Sequence, residues 1–169
     1  MQVDTREKTP ITFPANIRIQ HPERAGMFVV LPVAVQKAKL DYGDYRLKEF
    51  PTCCVIERKA SQLELFKNVV EHKDSIRQAK AFRRLSACEY PYLLVEERPT
   101  ELFKVSAKIR QPDIIIGRLS IAIAKYGLNL LWIPWGNSPH RRKLIGEIIL
   151  HVMLGCAIHK KMDILPVLV

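Results

Sequence analysis

No stretch of about 18 residues in this chain is free of charged side chains, so nothing in it has the apolar length that crosses a bilayer as a helix. The start, MQVDTREK, has neither the apolar middle nor the small-residue cleavage site of a secretory leader, and a soluble, intracellular protein is expected. Four cysteines, Cys53, Cys54, Cys88 and Cys156, form no Cys-x-x-Cys pair and are scattered along the chain. That argues against a zinc centre and a disulfide framework, and for buried thiols in a reducing compartment. The five histidines show no nucleophile-base pairing and no His-x-x-x-His spacing, which leaves hydrolase triads and zinc peptidases without support. Internal repeats and low-complexity tracts are absent too.

Positive charge, in contrast, is plentiful. Lys and Arg number 27 against 17 Asp and Glu, giving a net charge of +10 that favours polyanions, DNA or RNA above all. A solvated basic surface is the plain alternative. An anionic membrane would call for a basic amphipathic helix with exposed aromatics, which the pattern lacks. With 169 residues, 48% of them hydrophobic, the chain fits one compact domain, expected over residues 1–160 with a C-terminal tail at 161–169.

Val3 to Arg6 can open as a short strand, after which Pro10, Pro14 and Pro22 predict mostly loop. Met27 to Leu31 and Val33 to Ala38 suit strand or short helix. Tyr45 to Lys48 and Cys53 to Lys59 flank a turn at Glu49-Phe50-Pro51-Thr52 and read as a β-hairpin. From Ser61 the period becomes 3.6, with Leu65, Phe66, Val69 and Val70 on one face, then Ile76, Ala79, Phe82 and Arg83 on a second helix. Pro91 to Glu96 is an apolar strand. Pro112 can open a helix that Gly127 stops, Leu128 to Ile133 is the next buried strand, and Ser138-Pro139 starts a long helix. Its stripe is Leu144, Ile145, Ile148, Ile149, Val152, Met153 and Cys156. A hairpin followed by alternating helices and buried strands predicts an α/β sandwich around a mixed sheet.

The most informative segment is Gly43-Asp44-Tyr45 followed after the turn by Val55-Ile56-Glu57-Arg58-Lys59. A hairpin centred between Phe50 and Pro51 sets Asp44 opposite Glu57, with Cβ atoms roughly 5 Å apart. Glu57 and Lys59 then share one face of their strand while Arg58 points the other way. Facing carboxylates repel each other unless a cation lies between them or one takes up a proton. A hard divalent ion such as Mg²⁺ relieves that repulsion, polarises a phosphodiester and acidifies a bound water, which Lys59 could hold or deprotonate. Exposed ion pairs on an ordinary hairpin are the bland reading of the same residues.

Val3-Asp4-Thr5-Arg6-Glu7, Gly43-Asp44-Tyr45, Val55-Ile56-Glu57-Arg58-Lys59 and Pro91-Tyr-Leu-Leu-Val-Glu96 come in the order seen in the nuclease domain of the XPF-type structure-selective endonuclease family, and the chain resembles that domain over most of its length. The Asp, then Glu-x-Lys arrangement is also the signature of the wider restriction-endonuclease-like superfamily. The resemblance implies a central mixed β-sheet flanked by α-helices, dependence on Mg²⁺ or Mn²⁺, cleavage of branched, flap or junction DNA, and pairing with a like or related chain through this domain. It also implies that Asp44 and Glu57 bind metal, that Lys59 assists the attacking water, that Asp4 extends the acidic cluster and that Arg58 supports the site.

Two departures stand out. The family motif runs Glu-Arg-Lys, then three variable residues, then Asp, and this chain has Leu63 in the place of that Asp. Glu64 is next along but rotated by about 100° on a helix, and Glu7 is another substitute. The loss predicts weaker activity, altered metal preference, or a module that only binds DNA or recruits a partner. The following helix-hairpin-helix domain of many relatives is also missing, so a stand-alone short member or an excised domain is expected. Arg77, Lys80, Arg83 and Arg84 recur near helical spacing as a candidate phosphate track, and His140, Arg141, Arg142 and Lys143 begin the last helix, whose N-terminus favours anions. Trp132 and Trp135 read as packing before base stacking.

Overall fold

The computed structural model describes residues 1–134 and 138–165, so Trp135 and Pro166 lie outside the described residues. In chain order the elements are β1 (Gln2–Asp4), β2 (Asn16–Gln20), β3 (Phe28–Pro32), β4 (Gln36–Ala38), β5 (Tyr45–Arg46), β6 (Cys54–Lys59), α1 (Gln62–Val69), α2 (His72–Leu85), β7 (Tyr90–Val95), α3 (Pro99–Leu102), α4 (Asp113–Tyr126), β8 (Asn129–Trp132) and α5 (Pro139–His159). Six strands form one sheet in the order β4-β1-β5-β6-β7-β8, and β2 and β3 make a separate antiparallel ribbon. The large sheet is mixed: β1 runs antiparallel to β5 and β5 to β6, whereas β1–β4, β6–β7 and β7–β8 are parallel.

The central strands read as continuous apolar runs because both faces are covered. On one face Ile56 and Leu94 pack with Ile17, Ile19 and Leu31 of the ribbon and Ile149 and Met153 of α5. On the other, Val55, Leu93 and Val95 pack with Leu65 of α1, Phe82 of α2 and Ile115 and Leu119 of α4. Side chains alternate along a strand, so β6 sends Val55, Glu57 and Lys59 toward α1 and α2, and Ile56 and Arg58 toward the ribbon and α5. All four cysteines are buried with free thiols. No helix among the described residues is long and apolar enough to cross a membrane.

The segment between Pro14 and Pro22, expected to be loop, contains β2, where Ile17 and Ile19 alternate inward between exposed Asn16, Arg18 and Gln20. The prolines bracket a strand instead of breaking it. The β5–β6 ladder pairs Tyr45 with Ile56 and Arg46 with Val55, the register expected, but it is shorter. Its connecting loop ends in a turn closed by the Cys53 N–H donating to the Phe50 carbonyl at 3.2 Å. That shift puts Pro51 at the first central position of the turn, where its fixed φ fits. The buried faces of two helices also differ from the expected stripes. In α2 Gln78 is buried with Phe82 and Leu85, while Ile76 is exposed. In α5 Ile145, Ile149, Met153 and Cys156 are buried with Gly146, Leu150, Leu154 and Ala157, and Leu144 and Ile148 face out. That helix is apolar nearly all round, so periodicity alone does not select its inner face.

Past α5 the chain turns by a Schellman arrangement, Met162 N–H to the Ala157 carbonyl at 3.0 Å and Lys161 N–H to the Ile158 carbonyl at 2.8 Å, with Lys161 at φ 54°. Met162 and Ile164 of the tail then pack against the core.

Candidate active site

Gly43 enters β5 with φ +71°, and a Cβ there would run into the Val55 side chain. Glycine thus lets the chain pass close over β6 and deliver Asp44 beside Glu57. Asp44 is fastened at both ends: its N–H donates to the Ile56 carbonyl at 2.8 Å, and its Oδ2 accepts the Arg58 N–H at 2.7 Å. Asp44, Glu57 and Lys59 line one groove of about 920 Å³ whose far wall is α1 and α2. Burial and the neighbouring Glu57 carboxylate push the Asp44 pKa up to about 7.

Lys59 is almost fully buried, which works against its charge, yet Glu57 at 2.7 Å and Glu64 at 3.5 Å outweigh that and hold its pKa above the ordinary lysine value. It is an ammonium at neutral pH, so it can donate hydrogen bonds and offset negative charge but cannot take a proton. Glu57 Oε1 accepts both the Lys59 Nζ and, at 3.3 Å, the Gln78 Nε2. The other oxygen, Oε2, takes part in no hydrogen bond among the described residues. Two carboxylates, one resisting ionisation because it is buried beside the other, form an oxygen donor set that suits a hard divalent ion completed by water and phosphate oxygens. Among the described residues no cluster of three or more His, Cys, Asp or Glu side chains encloses an ion by itself.

Leu63, at the motif's missing acid, is 42% exposed and lines the groove. Glu64 does reach the site's edge: Oε1 approaches Lys59, while Oε2 accepts the Ala60 N–H at 3.0 Å and its own N–H is capped by Ser61 Oγ. Glu7 is not brought into the groove. It pairs with Arg58 at 3.0 Å on the opposite side of the sheet, where Arg58 also makes a fork to Glu96 at 2.6 and 3.0 Å. Arg58 therefore ties β6 to β7 and to the segment after β1 and does not face the acidic pair. Asp4 is likewise kept out of the cluster: it is wholly buried and its oxygens are taken by Arg6 and by the Leu40 N–H.

Of the expected phosphate track, Arg77, Lys80 and Arg84 line the groove and Arg83 does not. Arg141 and Arg142 begin α5, which packs on the other face of the sheet, and they are not brought to the groove. Sequence reasoning missed Arg6, Lys8 and Lys67, which add three cations to the groove, and Gln78. The cations carry no periodic signal, since two of them lie in a loop. Gln78 was hidden by its apolar neighbour Ile76.

A mixed six-stranded sheet in this strand order with helices on both faces is an α/β fold shared with solved XPF structures. Solved structures that resemble it include the following two. XPF from Aeropyrum pernix superposes with a TM-score of 0.55 at 20% identity, covering 89% of this chain and 59% of that one. XPF from Aeropyrum pernix in complex with DNA gives 0.54 at 22% identity, covering 98% of this chain and 67% of that one. No family model and no curated protein matches the sequence.

Proposed function

We propose that this chain is a divalent-metal-dependent DNA endonuclease domain that hydrolyses phosphodiester bonds in branched, flap or junction DNA. The observation that carries the reading is the convergence of Asp44, Glu57 and Lys59 on one groove that Arg6, Lys8, Lys67, Arg77, Lys80 and Arg84 also line. Asp44 and the Oε2 of Glu57 would hold Mg²⁺ or Mn²⁺, which when bound supplies Lewis acidity toward a phosphate and a water of lowered pKa. Lys59, as an ammonium, orients that water's surroundings and offsets charge gathering on the phosphate oxygens. Arg77, Lys80, Arg84, Lys67 and Lys8 hold neighbouring phosphates. Tyr42 is the one aromatic among the lining residues and is half-buried, which favours a grip on the backbone over base stacking. The DNA-bound state of one structural neighbour agrees with that choice of polymer.

Flap, fork, junction and linear DNAs, with RNA counterparts, incubated with Mg²⁺ or Mn²⁺ test the proposal. Metal-dependent cutting of DNA by the wild type, lost in Asp44→Asn and in Lys59→Ala, is the expected result. Equal cutting by all three proteins would show that the chemistry lies elsewhere.

A second reading, a catalytically weakened DNA-binding or partner-recruiting module, is favoured by Leu63 standing exposed in the groove. It predicts salt-sensitive DNA binding without cutting, and a gain of cleavage in Leu63→Asp. Pairing with a second copy or a related chain is part of either reading; Leu130 on the edge strand β8 and Leu144 and Ile148 on α5 offer exposed apolar surface for it. Sedimentation of the wild type and of Leu144→Glu/Ile148→Glu checks that partner.

A further inference from the structure

Asp4 and Arg6 form the most heavily bonded charged pair at the groove's edge. Asp4 has no exposed surface and accepts four hydrogen bonds: the Arg6 N–H at 2.7 Å, Arg6 Nε and Nη2 at 2.8 Å each, and the Leu40 N–H at 2.9 Å. Arg6 Nη2 also donates to the Leu40 carbonyl at 2.8 Å. One edge of the guanidinium fork is thus pinned inward. The third nitrogen, Nη1, takes part in no hydrogen bond among the described residues, and the side chain is 65% exposed. Its place is next to the acidic pair, because Asp4 N–H donates to the Asp44 carbonyl at 2.9 Å and Arg6 lines the same groove as Asp44 and Glu57.

An exposed ion pair rarely repays such an investment, and a buried carboxylate is tolerated only when fully bonded. What the arrangement does supply is a cation that keeps its charge at every accessible pH, has its rotamer already fixed, and presents two N–H groups outward. We propose that Arg6 is a phosphate-binding residue of the groove, set by Asp4 to meet the nucleic-acid backbone beside the Asp44–Glu57 pair. Asp4 acts through Arg6 as a positioning residue. The inference rests on the DNA-cleaving reading above and names the part of the site that grips substrate on the β1 side, opposite the α2 cations.

The experiment is DNA binding in EDTA, followed by fluorescence anisotropy of a labelled flap duplex over a potassium chloride series, so that no metal is needed. Arg6→Gln should lower the slope of log affinity against log salt by about one and weaken binding severalfold, as removal of a single phosphate-binding cation does. Arg24→Gln, which removes a charge from the β2–β3 turn, should leave the slope unchanged. Arg6→Lys carries the test if Arg6→Gln melts early: lysine keeps the charge and the slope, but cannot hold Asp4 and reach outward together, so affinity and the cleavage rate should each fall severalfold. Arg6→Gln behaving like Arg24→Gln, or Arg6→Lys matching the wild type in both assays, overturns the assignment of Arg6 alone. A wild type with no salt-dependent affinity for DNA overturns the DNA-cleaving reading with it.

Discussion

Asp44 gives the site a pH signature that can be read without substrate. Burial and Glu57 raise its pKa from 3.8 to about 7, so the folded state binds a proton more tightly than the unfolded chain does. Stability from that proton is complete below pH 4 and is lost as pH rises through 7. The metal-free protein should therefore melt at lower temperature at pH 8 than at pH 5. Asp44→Asn should be nearly flat across that interval and the more stable of the two at pH 8, by on the order of 1–2 kcal/mol. Mn²⁺ should restore the wild type's melting temperature at pH 8 and do nothing for Asp44→Asn. Gln78 supplies a second residue-level test. Gln78→Met keeps the buried volume and deletes the donor to Glu57 Oε1, so metal affinity measured by calorimetry should drop about tenfold, in the range of outer partners of a metal ligand. In a Glu57→Gln background the same change should have no further effect. The acidic pair and Lys59 were legible because a strand's two-residue period fixes which neighbours share a face. The fate of Asp4 was not, because its partner on the backbone, Leu40, lies 36 residues away.

At the scale of elements, two backbone positions decide how the strands and the last helix are held. Gly43 combines φ +71° with a Cβ position already occupied by the Val55 side chain. Gly43→Ala should cost about 2–4 kcal/mol, the sum of a left-handed alanine and an overpacked neighbour, and should displace Asp44 enough to abolish cutting. Lys161 is the opposite case, a side-chain-bearing residue at φ 54° in the turn that ends α5. Lys161→Gly should stabilise the fold by about 1 kcal/mol in denaturant titration, with cleavage unchanged, because the turn's hydrogen bonds survive and the left-handed strain does not. Gly127, which stops α4 in the same conformation at φ 61°, was readable in advance because glycine announces it; a lysine does not. The ribbon strand β2 was hidden for a related reason. Three prolines outweighed a five-residue alternation, although each proline lies outside the paired segment.

Across the whole molecule the two basic clusters lie on different faces of the sheet. The sheet has α1, α2 and α4 on one face and the β2–β3 ribbon and α5 on the other, and the acidic pair opens only toward α1 and α2. Charge counting on the sequence cannot see that division, so the α2 cluster and the cluster at the start of α5 looked equivalent. Physically they are not: a polyanion with a phosphate over Asp44 and Glu57 runs along the groove that Arg77, Lys80 and Arg84 line, while cations on the far face are set apart from it by the sheet and screened by salt. Replacing Arg77, Lys80 and Arg84 with glutamine should therefore reduce the salt slope of DNA binding by about two to three, roughly one for each phosphate no longer neutralised, and slow cleavage at low DNA concentration. Arg141→Gln/Arg142→Gln removes nearly as much charge and should leave both slope and cleavage close to wild type. If the α5 pair instead proves to carry the slope and the α2 triple does not, substrate approaches over the opposite face, and the groove cannot be where the backbone is bound.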